Sequence, residues 1–103
     1  MPKHSQSLEV SGTSLQGYTQ TTTRAELVAL FGEPSFYGEG DKVTLEWCLD
    51  FGGGIIATIY DWKRYEEGMP ALDEEMKYNI GGNSPLSAEK VKEAIEEEKK
   101  VSA

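Results

Sequence analysis

Between Lys42 and Trp62 the chain alternates apolar and polar positions, reverses on three glycines, and alternates again. Val43, Leu45, Trp47, Leu49 and Phe51 fall on one side of an extended strand, and Thr44, Glu46, Cys48 and Asp50 on the other, because successive side chains of a strand point to opposite faces. Gly52, Gly53 and Gly54 supply the reversal. The return strand, Ile55 to Trp62, carries Ile55, Ala57 and Ile59 in one row and Ile56, Thr58, Tyr60 and Trp62 in the other. A slip of one residue exchanges the two faces. A two-residue turn would set Tyr60 and Trp62 beside Leu45, Trp47 and Leu49; a three-residue loop through Gly54 sets Ala57 and Ile59 there. The three-residue loop is preferred. It gives an aliphatic floor for helices and leaves Thr58, Tyr60 and Trp62 beside Thr44, Glu46 and Cys48 on a partly exposed, aromatic face.

The flanking elements follow from shorter patterns. Leu15 to Thr21 alternates weakly and predicts a short strand. Thr23-Arg24-Ala25-Glu26 is a capping box, and Leu27, Leu30 and Phe31 follow at helical spacing. Gly32 and Pro34 end that helix after about two turns. Ser35 to Asp41 reads as a loop, as does Lys63 to Glu75 with Gly68 and Pro70. Met76 to Ile80 alternates as a last strand, and Gly81-Gly82-Asn83 breaks it. Ser84 caps a second helix that opens on Pro85 and carries the apolar stripe Leu86, Ala88, Val91 and Ile95. The predicted order is β-α-β-β-β-α. It makes an α+β domain: an antiparallel sheet of about four strands with two helices packed on one face. Residues 1–13 read as a mobile N-terminal tail, 14–98 as the single domain, and 99–103 as a frayed end.

Charge changes the functional picture. Eighteen acidic residues against ten basic ones give a net charge of −8. That opposes direct binding to nucleic acid, whose phosphates demand a basic face, and to anionic membrane surfaces. No stretch approaches the roughly 18 apolar residues of a spanning helix, and residues 1–7 do not read as a signal peptide. One cysteine, Cys48, excludes an internal disulfide. One cysteine and one histidine, His4, are too few for the usual structural zinc site. No metal, cofactor or catalytic residue is expected, and the expected location is the cytoplasm.

Several runs carry a resemblance. Thr23 to Pro34, Asp41-Lys42-Val43-Thr44, Glu46-Trp47, Ala57 to Lys63 and Ile80-Gly81-Gly82 together resemble a group of small orphan proteins of tailed bacteriophages, over roughly residues 14–95. That group's hairpin turn reads Asp-Gly where this chain has Gly53-Gly54, which fits the three-residue loop. Its last strand carries an aromatic-histidine pair where this chain has Tyr78-Asn79, so no proton-transfer role carries over to that position. The likeness implies a phage origin and the cytoplasm of a host cell. It implies no reaction. Small acidic phage proteins often block host defence.

The candidate sites are of three kinds. Tyr60, Asp61 and Trp62, with Tyr78, form a possible aromatic anchor, since tyrosine and tryptophan dominate binding hot spots; core packing is the plainer account of the same rings. Glu66, Glu67, Asp73, Glu74 and Glu75, with the Glu93/Glu96/Glu97 helix face, could present carboxylates to a basic partner as a nucleic-acid mimic does; the plainer account is a solvated surface. Gly81, Gly82, Asn83 and Ser84 could hold an anion at a helix start; the plainer account is a strand-to-helix turn. The expected function is non-enzymatic: binding and inhibition of a basic host defence protein by surface blockade or mimicry. The alternatives are an oligomeric sponge for a nucleotide signal, a small hydrolase using Glu46 and Asp61, and a self-associating structural protein.

Overall fold

The computed structural model describes residues 14–37, 43–62 and 68–102. The tail at 1–13 and the Glu66-Glu67 pair lie outside the described residues. The elements are β1 (Ser14–Tyr18), α1 (Arg24–Phe31), β2 (Phe36–Tyr37), β3 (Leu45–Asp50), β4 (Ile56–Tyr60), β5 (Asn79–Gly82) and α2 (Pro85–Ser102). The strands form one antiparallel sheet in the order β1-β5-β4-β3-β2. The fold is α+β, with both helices on one face. The fifth strand, β2, falls where a loop was expected: Phe36 and Tyr37 pair with Glu46 and Leu45, and the Ser35 hydroxyl accepts from the Cys48 amide at 3.1 Å. Two neighbouring rings on a pleated edge outweigh the turn-forming residues on either side of them.

The hairpin adopts the three-residue loop. Trp47 opposes Ile59 and Leu49 opposes Ala57, while Glu46 opposes Tyr60 and Cys48 opposes Thr58. The Ile55 amide donates to the Gly52 carbonyl at 3.1 Å, and Gly53 and Gly54 between them both have positive φ, 61° and 80°. Side-chain-bearing residues rarely hold that conformation at two consecutive positions.

The inward row packs under the helices. Leu45, Trp47, Leu49, Ala57, Ile59, Tyr78 and Ile80 meet Leu27 and Phe31 of α1 and Ala88, Val91, Ala94 and Ile95 of α2. The Trp47 ring lies edge-on to Tyr78, with centroids 6.1 Å apart, and its indole nitrogen donates to the Gly32 carbonyl at 2.8 Å. That bond ties the end of α1 to the centre of the sheet and satisfies the polar atom of an otherwise apolar side chain. The capping box of α1 is complete: the Thr23 hydroxyl accepts from the Glu26 amide at 3.1 Å, and the Glu26 carboxylate accepts from the Thr23 amide at 3.2 Å. α2 continues through Ser102, past the start of the segment expected to fray, and Lys99 donates to the Thr21 carbonyl at 2.6 Å.

Pairing beside β1 and β5 is broken rather than continuous. A bulge between Leu15 and Gly17 shifts the register of β1. Beyond Tyr18 the pairing goes on only as isolated pairs: the Thr19 amide donates to the Tyr78 carbonyl and the Thr19 hydroxyl accepts from the Tyr78 amide, and Thr22 and Met76 exchange two backbone bonds, each at 2.9 Å. The strand expected at Met76 to Ile80 is therefore displaced toward Gly82.

Gly82 sets how closely α2 approaches. A Cβ there would overlap the Cβ and Oγ of Ser87 and press on the Ile56 carbonyl at 2.8 Å. The Ser87 hydroxyl donates to that same carbonyl at 2.7 Å. The Gly82→Ala chain should lose about 1–3 kcal/mol of stability in urea unfolding, the range for overfilling a tight contact; an unchanged midpoint would mean that α2 does not seat on the sheet at this distance.

Candidate functional site

The hairpin register frees one face of the sheet. Directly opposed residues on antiparallel strands point to the same side. One outward row therefore runs Tyr18, Asn79, Tyr60, Glu46 and Phe36 across all five strands. The next runs Leu15, Gly81, Thr58 and Cys48. The β1 bulge is what turns both Leu15 and Tyr18 outward, since strict alternation would place an odd and an even position on opposite sides. Leu15, Tyr18 and Phe36 are at least half exposed and Trp62 is 44% exposed. Exposed rings and aliphatic side chains are thus gathered on one surface.

Among these side chains lies a hollow of about 220 Å³. Gly81 opens its floor, because a Cβ at that position would meet Thr58 Oγ1 at 2.5 Å and Tyr60 Cε1 at 3.4 Å. Ser14 and Leu15 line one side, Val43 and Glu46 the other, with Thr58, Tyr60 and Trp62 between. The Tyr60 and Trp62 rings stand edge to face, with centroids 6.1 Å apart and planes at 73°, an arrangement the ring quadrupoles favour.

The electrostatics of the hollow centre on Glu46. Burial pushes its carboxyl above the ordinary carboxylate range. Burial also raises the Tyr60 hydroxyl; a hydrogen bond with Asn79 works the other way, and the charge of Glu46 adds to the rise. The Cys48 thiol is pushed up to about 11, first by burial and then by Glu46. A thiol so protonated at neutral pH is a poor nucleophile and a poor metal ligand.

The residues singled out from the sequence divide cleanly. Tyr60 and Trp62 are on the open face. Asp61 is not: it is fully buried, and its carboxylate accepts from the amides of Thr44 at 2.8 Å and Leu45 at 3.1 Å and from the Thr44 hydroxyl. The carboxylate thus serves as acceptor for two backbone donors at the start of β3. Tyr78 is also fully buried, against Trp47, so it cannot anchor a partner.

Gly81 and Gly82 belong to β5 rather than to a cradle at the helix start. The Asn83 side chain accepts from the Ile56 amide at 3.0 Å and donates to the Gly54 carbonyl at 2.8 Å, bracing the hairpin tip. The Ser84 hydroxyl accepts from the Leu86 amide at 3.2 Å, as a helix cap does. The anion cradle expected at 81–84 is thus committed to internal contacts. Asp73 and Glu75 are exposed and Glu74 is half-buried in the loop before β5. Glu93, Glu96 and Glu97 are exposed on α2, but Lys90 and Lys92 are exposed beside them. That face has mixed sign.

Three residues of the open face escaped the sequence reading, Leu15, Tyr18 and Phe36, and Gly81, read there as part of an anion cradle, is instead the floor of the hollow. The adjacent aromatics at 36 and 37 were the available sign for one of them. Among the described residues, no group of His, Cys, Asp or Glu could hold a metal ion, and no helix is long and apolar enough to cross a membrane. Comparison with protein-family models, with curated proteins and with solved structures finds no match to this chain.

Asp61→Ala should cost about 3 kcal/mol in urea unfolding, because it leaves the buried Leu45 amide and the half-buried Thr44 amide and hydroxyl without an acceptor; a loss below about 1 kcal/mol would mean that water replaces the carboxylate. Glu46→Gln should act the other way. The folded chain holds the Glu46 proton more tightly than the unfolded chain does, so ionisation costs stability as pH rises through the carboxylate range. The variant should therefore melt higher than the native chain at pH 7, with the difference shrinking as pH falls through that range. A lower melting temperature at pH 7 would show that the charged carboxylate is held by a partner within the fold.

Proposed function

We propose that this chain is a non-enzymatic binding protein of bacteriophage origin, which docks its open sheet face onto a basic host defence protein and blocks that protein's surface. The observation that carries the reading is the outward row of Tyr18, Tyr60 and Phe36 around the Glu46 carboxyl, with Trp62 at its rim. Rings supply contact area at low entropic cost, and the acid surplus of the chain steers a basic partner toward it. Blockade by this face is favoured over mimicry by a carboxylate row, because the acids of α2 are interleaved with lysines.

The other readings draw less support. At about 220 Å³ the hollow is smaller than the roughly 300–1,000 Å³ of pockets that enclose a small-molecule ligand. A carboxylate at its wall would also repel a nucleotide phosphate. A hydrolase built on the pair Glu46 and Asp61 needs both carboxylates at one site, and Asp61 is committed to Thr44 and Leu45 rather than to Glu46. A symmetric dimer through the centre of the open face would bring two Glu46 carboxyls together, which like charge opposes.

Affinity capture from host lysate tests the proposal, with the native chain and the Trp62→Ala chain as baits. The native chain should retain a basic protein at about 0.05 M salt and release it near 0.5 M. Trp62→Ala, a change at an exposed position, should retain at least ~10-fold less of it. Equal retention by both baits, or a retained protein that ignores salt, would overturn the proposed docking face.

A further inference from the structure

We infer that the hollow between Glu46, Tyr60 and Trp62 is a socket for one arginine side chain of a basic protein partner, an inference that rests on the docking face proposed above and names what enters it. Three features select that occupant. The wall carries a carboxyl, so the guest is cationic or donates several hydrogen bonds. The rings of Tyr60 and Trp62 line the same hollow at 73° to one another, so a flat cation can lie over one ring face while meeting the edge of the other. The volume of about 220 Å³ suits a single side chain rather than a whole ligand molecule.

Among cations, arginine fits these walls better than lysine. Its planar guanidinium stacks on rings, meets a carboxylate with two parallel N–H donors and is more weakly hydrated, so less is lost on entering a half-buried site. Thr58 adds a hydroxyl at the floor, beside the space that the missing side chain of Gly81 leaves. The desolvation that holds the Glu46 carboxyl above its ordinary range is offset when a guanidinium supplies the opposing charge. Binding energy is gained at a group the fold leaves in an unfavourable state.

The test uses the free chain and three capped single-residue probes: N-acetyl-arginine amide, N-acetyl-lysine amide and the uncharged isostere N-acetyl-citrulline amide. Nitrogen–proton spectra resolve the two indole N–H groups. Trp62 reports the hollow, and Trp47, buried and bonded to Gly32, reports the fold. The arginine probe should shift the Trp62 indole and the Tyr60 amide with millimolar affinity, leaving the Trp47 indole in place. The lysine probe should bind more weakly, and citrulline at least roughly 10-fold more weakly, since a charged hydrogen-bonded pair is lost. Glu46→Gln should weaken the arginine probe to a similar degree while keeping the native Trp47 signal. Equal shifts from arginine and citrulline, tighter binding of lysine than of arginine, or unchanged arginine affinity in Glu46→Gln would each overturn the socket. These readouts need no host protein, so they decide the socket separately from the capture experiment, whose failure would remove the host partner alone.

Discussion

The pairing of β3 with β4 is the constraint on which the rest of this molecule depends. Because side chains alternate along a strand, the register across the glycine turn assigns every residue of the hairpin to one of two environments at once. In the observed register the aliphatic row Leu45, Leu49, Ala57 and Ile59 joins Trp47 beneath the helices, and the mixed row Glu46, Cys48, Thr58 and Tyr60 faces away. Three consecutive glycines with positive φ hold that register, because the loop needs a backbone conformation that other residues resist. The core and the open face are thus two consequences of one turn.

Much of this was legible because it is local. The alternation of residues 43–51, the glycine run, the capping box at Thr23 and the serine cap at Ser84 each act within a few residues, and each formed as its pattern predicts. What was illegible depends on partners distant in sequence. Asp61 follows Tyr60 and precedes Trp62 and so reads as part of an exposed patch; nothing near it reveals that Thr44 and Leu45 will need its oxygens. Gly81 and Gly82 read as a turn or a phosphate cradle, and become the floor of a hollow and the seat of a helix only once Thr58, Tyr60 and Ser87 arrive from elsewhere. The bulge that turns Leu15 outward leaves only a weak alternation in the sequence. Two-residue β2 is too short to carry a pattern at all.

The open face and the acid surplus act at different ranges. Net charge steers an approaching basic surface over distances near a Debye length, about 8–10 Å at moderate salt, but it selects no geometry. Geometry comes from Tyr60, Trp62 and the Glu46 carboxyl, whose positions are fixed by strand pairing and by the ring contact between Tyr60 and Trp62. A carboxyl held in a half-buried hollow is costly to the free chain, and a site of this kind gains most from a partner that neutralises it. Buried Asp61 shows the contrasting solution within the same hairpin: there the fold itself supplies the donors.

Cross-strand proton contacts across the hairpin test this account most directly. The account predicts backbone contacts that pair Glu46 with Tyr60, Trp47 with Ile59 and Cys48 with Thr58. Contacts pairing Leu45 with Tyr60 and Trp47 with Thr58 would place the Tyr60 row beneath the helices and contradict it, since no aromatic, carboxyl-bearing face would then be left open.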